Sequence, residues 1–188
     1  MNDDPDSSTS DSLHITIAVT VQATAWLDAL PEAEALARRA ALAALCAAGG
    51  SPKEPAETPR ETEVSLVLAS DAGLRRLNRD YRGKDRPTNV LSFPIDGEET
   101  PEDGGLRLLG DVVLAFETVQ AETREQGKPL GDHLSHLVVH GVLHLLGYDH
   151  TGEADAAAME RLETGVLAGL GIADPYDPAT ARAAALPG

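Results

Sequence analysis

Apolar and polar residues alternate from Leu13 to Val21, the two-residue period of a strand with one buried face. From about Pro31 to Ala48 the chain is rich in Ala, Leu, Glu and Arg with helical periodicity, and it stops at Gly49-Gly50. Ser51 to Thr62, with three prolines, reads as a surface loop. Glu63 to Ala69 predicts a second strand, after which Ser70-Asp71 can cap a short helix through about Arg79. The loop Asp80 to Pro87 leads into a third strand, Asn89 to Phe93, which stops at Pro94. Residues 95–107 read as an exposed loop, Leu108 to Phe116 as the fourth strand, and Glu117 to Gln126 as a helix closed by Gly127-Lys-Pro129. Leu130 to Leu146 and Gly152 to Leu170 complete the set as two longer helices. Strands alternating with helices, then a run of helices, predict an α/β or α+β sandwich whose sheet is covered by the helix at 130–146.

That helix carries the chain's most informative string, His140-Gly-Val-Leu-His144-Leu-Leu-Gly-Tyr-Asp-His150. His140 and His144 are four residues apart, so on a helix they share one face and their ring nitrogens can converge on one cation. Gly147 is suited to the positive φ that ends a helix and turns the chain back, which would bring up His150 as a third nitrogen. A histidine pair on a Leu- and Val-rich helix is more often a hydrogen-bonded core or surface pair. The three histidines and the glycine, however, fall in the order of the H-E-x-x-H-x-x-G-x-x-H zinc signature. Gly141 stands where that signature has the glutamate base of metalloproteases, so peptide hydrolysis by that route lacks its key group. His133 and His136 precede the motif at spacings that allow extra ligands, but read rather as helix surface or as support for the ligands, and His14 reads as a surface residue.

Composition narrows the setting. The chain has 188 residues, enough for one domain with its own core, and aromatics at only 3% leave that core to Leu, Val and Ala. Cys46, the single cysteine, excludes an internal disulfide and a Cys-rich zinc site, and its Ala/Leu setting suggests a small buried apolar residue. The acidic start, Met1 to Asp6, lacks the features of a secretory signal, and no apolar run approaches the ~20 residues of a membrane span, so a soluble cytoplasmic protein is expected. Residues 1–12 are expected to be a disordered acidic tail, 13–176 a single domain and 177–188 an Ala-rich tail. A formal net charge of -16 argues against nucleic acid, but its distribution argues otherwise. Leu74 to Arg86 holds Arg75, Arg76, Arg79, Arg82, Lys84 and Arg86 against Asp80 and Asp85, a local excess of four positive charges.

With the histidine string, Tyr81-Arg-Gly-Lys-Asp-Arg-Pro-Thr-Asn-Val-Leu-Ser-Phe-Pro94, Leu109-Gly-Asp111 and Gln126-Gly-Lys-Pro129 make the chain resemble the bacterial YbeY family of endoribonucleases and rRNA maturation factors. The resemblance covers roughly Glu63 to Tyr176; the N-terminal tail, the Ser51 to Thr62 loop and the C-terminal tail depart from the family pattern. It implies an α+β fold with a mixed four-stranded sheet and about five helices. It also implies one zinc-like ion on His140, His144 and His150. The activity implied is endonucleolytic, on single-stranded RNA in 16S rRNA 3′-end maturation and ribosome quality control, with the ribosome and its assembly factors as partners. The family arginine matches Arg82, whose planar guanidinium suits a phosphate. Arg82, His140 and Asp149 are the expected catalytic residues, Asp149 either orienting a ligand or water or only capping the turn. Two alternatives stand beside this reading: a zinc hydrolase of another substrate class, and a non-catalytic ribosome-assembly factor with a structural metal. Within the leading reading, attack by metal-activated water is favoured slightly over attack by the RNA's own 2′-OH.

Overall fold

The computed structural model describes residues 14–48, 61–95 and 106–177. The expected tail at 1–12, nearly all of the tail at 177–188, and most of the loops at 51–62 and 95–107 lie outside them. The described chain runs β1 (His14–Val21), α1 (Ala25–Ala29), α2 (Ala33–Ala48), β2 (Glu61–Ala69), α3 (Asp71–Arg82), β3 (Val90–Pro94), β4 (Leu106–Ala115), α4 (Phe116–Gln126), α5 (Leu130–Leu145) and α6 (Glu153–Gly169). This is the expected α+β architecture. The strands form one mixed sheet in the order β1-β2-β4-β3, parallel except for β3, which runs antiparallel to β4 along an edge.

Six helices are described where about five were expected. The extra one, α1, is a five-residue turn held by Trp26, whose ring is fully buried and whose Nε1 donates to the Ala69 carbonyl at 3.0 Å. Five residues are too few to display a helical period. Several boundaries move as well. Glu61 and Thr62 pair with β1 as strand, Asp80 to Arg82 extend α3 to Gly83, Asn89 precedes β3, Pro94 ends inside it, and Leu106 and Arg107 already belong to β4. Phe116 opens α4 and does not close the strand. Pro94 is tolerated because β3 is an edge strand with one side free of ladder bonds.

Alternate residues of each strand face opposite layers. Val64, Leu66, Leu68, Val112 and Leu114 join α2, α5 and α6 in the main core, whereas Ala69, Leu91, Val113 and Ala115 pack with Leu74 of α3. The sheet therefore separates α5, with its histidines, from α3, with its arginines. Cys46 is exposed, contrary to the expectation of burial: the inward stripe of α2 is Ala33, Ala37, Ala40, Ala41 and Ala44, and residue 46 falls off it. The long helix sits unusually close to the sheet at Gly141. A Cβ there would stand 2.5 Å from Cγ1 of Val112, and the Ser92 hydroxyl of β3 donates to the Gly141 carbonyl at 3.1 Å. The position that carries glutamate in metalloproteases is thus pressed against β4 and β3, where no side chain fits.

Candidate metal centre

The last turns of α5 bring His140 and His144 to one face, and the chain then reverses at Gly147, whose φ of 87° is open to glycine without strain. The reversal is fastened by the Tyr148 amide, which donates back to the Leu143 carbonyl at 3.1 Å. His150 follows, and its ring stacks over that of His140 with centroids 5.2 Å apart. One ligand atom from each of His140, His144 and His150 lies within 4.8 Å of the others.

Hydrogen bonds determine which nitrogens point into that space. Nδ1 of His144 faces the Tyr148 carbonyl at 3.0 Å, an acceptor only, so this nitrogen carries the proton. Nδ1 of His140 meets Oε1 of Glu163 at 2.7 Å, and the Tyr176 hydroxyl bonds the other oxygen of the same carboxylate. Burial alone pulls the Glu163 carboxyl upward, but the bonds to His140 and Tyr176 and the neighbouring imidazoles outweigh it and hold the group below its ordinary value. The same burial, with the Glu163 charge, pushes the Tyr176 hydroxyl well above its usual range, so it remains a donor. Glu163 is consequently an ionised acceptor, and His140 is its donor through Nδ1. Both Nε2 atoms then carry lone pairs, and they stand 3.1 Å apart. Two lone pairs at that distance cannot satisfy each other; a cation between them can. Burial and the nearby His140 and His150 also lower the pKa of His144, which favours the neutral form that ligates. The donor set fits a divalent ion.

Asp149 and Arg82 are placed differently. Oδ1 of Asp149 accepts the backbone N–H of His150 at 2.7 Å, capping the turn, and the side chain is exposed. Arg82 is the exposed last residue of α3, the helix that packs on the other face of the sheet through Leu74, and among the described residues no hydrogen bond or ion pair joins it to the histidines.

The model of the family described as Endoribonuclease YbeY matches residues 37–171, and so begins well before Glu63. The chain is 56% identical over 164 residues to the Endoribonuclease YbeY of Paramagnetospirillum magneticum, covering 86% of this chain and 96% of that one. The Rhodospirillum rubrum protein of the same name is 54% identical over 80% of this chain and 76% of its own. That of Alkalilimnicola ehrlichii is 53% identical over 81% and 86%.

The chain belongs to the endoribonuclease YbeY family. It is thereby one of a family of RNA-cleaving hydrolases. Against this YbeY background, the residues that sequence reasoning missed are Glu163 and Tyr176. Glu163 is fully buried although charged, and it sits in the inward stripe Met159, Glu163, Val166, Leu167 of α6. A carboxylate at a core position of an amphipathic helix is a readable signal of a buried partner. His133, expected at the helix surface or as support, is 5% exposed and meets Oε2 of Glu122 at 2.7 Å. His136 adjoins the cluster, its ring edge-on to that of His140 with centroids 6.4 Å apart.

Proposed function

We propose that this chain is a divalent-metal-dependent endoribonuclease specific for single-stranded RNA, acting in 16S rRNA 3′-end maturation and in ribosome quality control in the cytoplasm, on the ribosome and beside its assembly factors. The catalytic unit in this reading is one domain over residues 13–176. The observation that carries it is the convergence of His140, His144 and His150 on one point in a YbeY chain. Zinc is the ion we assign, because three neutral imidazoles and an open fourth position suit it; bound there, it supplies Lewis acidity toward water and a phosphoryl oxygen.

The chain's own groups do the rest. Glu163 holds the ring of His140 and keeps the proton on Nδ1, while the Tyr148 carbonyl does the same for His144. Asp149 fixes the turn that carries His150, so its part is positioning. Arg82 is assigned to a substrate phosphate. Its guanidinium is exposed and without a partner among the described residues, and it follows a run of cations along α3. The helices that carry Arg82 and the histidines pack on opposite faces of the sheet, so a phosphate chain that meets both has to bend, which a flexible single strand does more readily than a stiff duplex.

The deciding experiment incubates purified protein with an unstructured RNA and with a stable duplex, with and without a chelator. Cleavage of the single strand alone, abolished by chelation and by His144→Ala, is expected. Arg82→Ala should retain metal and melting temperature and lose cleavage. Chelator-resistant cleavage, or an Arg82→Ala protein as active as the parent, overturns the corresponding assignment.

A further inference from the structure

On the sheet face that carries α3, a groove of about 330 Å³ is lined by Val67, Leu77, Val113, Phe93, Tyr81 and the exposed Asp111. Leu74, Leu77 and Tyr81 share one face of α3, spaced three and then four residues apart. Their burial declines along the helix: Leu74 is fully buried, Leu77 half-buried and Tyr81 71% exposed. The apolar stripe of α3 thus outruns the small core of Ala69, Leu91, Val113 and Ala115 beneath it. Tyr81 is the most exposed of the large hydrophobic side chains among the described residues. Its ring meets that of Phe93 edge to face, with centroids 5.2 Å apart. Such a contact occupies at most one face of a ring, so Tyr81 keeps a face for stacking. The chain has only one Trp, three Tyr and two Phe, so a Tyr–Phe pair outside the main core is informative.

Charge decides which part of a ligand enters. Arg76, Arg82, Lys84 and Arg86 are exposed and without acidic partners among the described residues, and Arg82 directly follows Tyr81. Asp111, by contrast, sets an acidic group in the groove itself, and its carboxylate has no partner among the described residues. A phosphate is therefore repelled by the groove and drawn to the cations of α3 and the loop after it. A base is flat and uncharged, and each of the four RNA bases has a stacking face and at least one N–H that a carboxylate can accept. In a duplex both are already engaged. We propose that this groove is a stacking subsite for one unpaired RNA base, with Tyr81 and Phe93 as the aromatic contacts, Asp111 as the acceptor, and the adjoining phosphate at Arg82. The inference rests on the RNA-cleaving reading and deepens it. The sheet lies between α3 and the histidine-bearing α5, so the base held here belongs to a nucleotide other than the one at the metal centre.

Two measurements test it. Zinc-loaded full-length protein is photo-crosslinked to a single-stranded RNA that carries iodouridine, and the modified peptides are mapped by mass spectrometry. Crosslinks at Tyr81 or Phe93 are expected, and a pattern that avoids both rings overturns the subsite. Chelator-treated full-length protein, which leaves the probe uncut, is then titrated with fluorescent hexauridylate and with the same ribose-phosphate chain lacking its bases. Tyr81→Ala should weaken hexauridylate binding at least about fivefold and leave the baseless chain unaffected, whereas Tyr81→Phe should bind like the parent. The melting temperature should hold in both variants, because the ring is exposed; the crosslinking needs no substitution and decides even if Tyr81→Ala unfolds. A parent that binds both chains alike, a Tyr81→Ala protein with the parental preference, or an equal loss for both chains overturns the subsite. A protein that crosslinks at Tyr81 but leaves RNA intact sinks the enzymatic reading and not the groove. One that cuts RNA without touching either ring does the reverse.

Discussion

The buried carboxylate of Glu163 is the residue on which the centre turns, since a ligand histidine is only as well oriented as the group behind it. Glu163→Gln keeps the size and one acceptor but removes the charge, and metal affinity should fall by about 10- to 100-fold. Competition with a chromophoric chelator measures this, and an unchanged dissociation constant rejects the role. His136 gives a second prediction at this scale. Burial, opposed by the charge of Glu163 and aided by that of Lys128, lowers its pKa to about 4. Between pH 6.5 and about 4 the unfolded chain binds a proton here that the folded chain refuses, so stability is lost as pH falls through that window. In chelator-treated protein this one group should cost about 2 kcal/mol between about pH 7 and pH 5. Urea titrations of the parent and of His136→Gln at both pH values should show a smaller acid loss in the variant.

Among the elements, α5 has the most to do, because one face binds the sheet and another builds the centre. Its approach to β4 is set by Gly141, and the 2.5 Å approach that a methyl group would make to Val112 has no flexible side-chain end to yield. Gly141→Ala should destabilise the protein by about 1–3 kcal/mol despite its better helix propensity, and lower metal affinity as α5 is displaced. A Gly141→Ala protein that melts at the parental temperature contradicts this packing. The type of nine elements was legible in advance because each is long enough to show its period; α1 was not, and neither were the ends of α3, β2 and β4. Strand pairing with β1 and β4 recruits Glu61, Thr62, Leu106 and Arg107, and pairing is a relation between distant segments that no local pattern displays.

Over the whole molecule, charge is divided by place. Arg75 is clamped by Asp85 through bonds of 2.7 and 2.8 Å, and Arg79 meets Asp80 at 2.9 Å, which leaves Arg76, Arg82, Lys84 and Arg86 without acidic partners among the described residues. Bonding to Asp85 raises the Arg75 pKa, and Arg75 lowers that of Asp85 in turn. The six cations of this segment are therefore unequal. Arg76→Glu and Lys84→Glu should weaken RNA binding and flatten its salt dependence, by a slope of about 0.7 for each phosphate that is no longer neutralised, while Arg75→Gln should do so much less. Binding isotherms over a range of salt concentrations test this; equal effects at Arg75 and Arg76 contradict it. Among the described residues no helix is long and apolar enough to cross a membrane.

The cluster of three histidines, the reversal at Gly147, the strand-helix order and the basic segment were all readable from the chain, because each depends on residues close to one another in sequence. Tertiary structure decided the rest. It packed α3, which ends at Arg82, against the sheet face opposite α5, gave Asp149 a bond to the His150 amide, exposed Cys46, and set Glu163, 23 residues from His140, against its Nδ1. Ligand spacing is a property of one helix. The support behind a ligand belongs to two helices that meet only when the core closes around Met159, Val166 and Leu167.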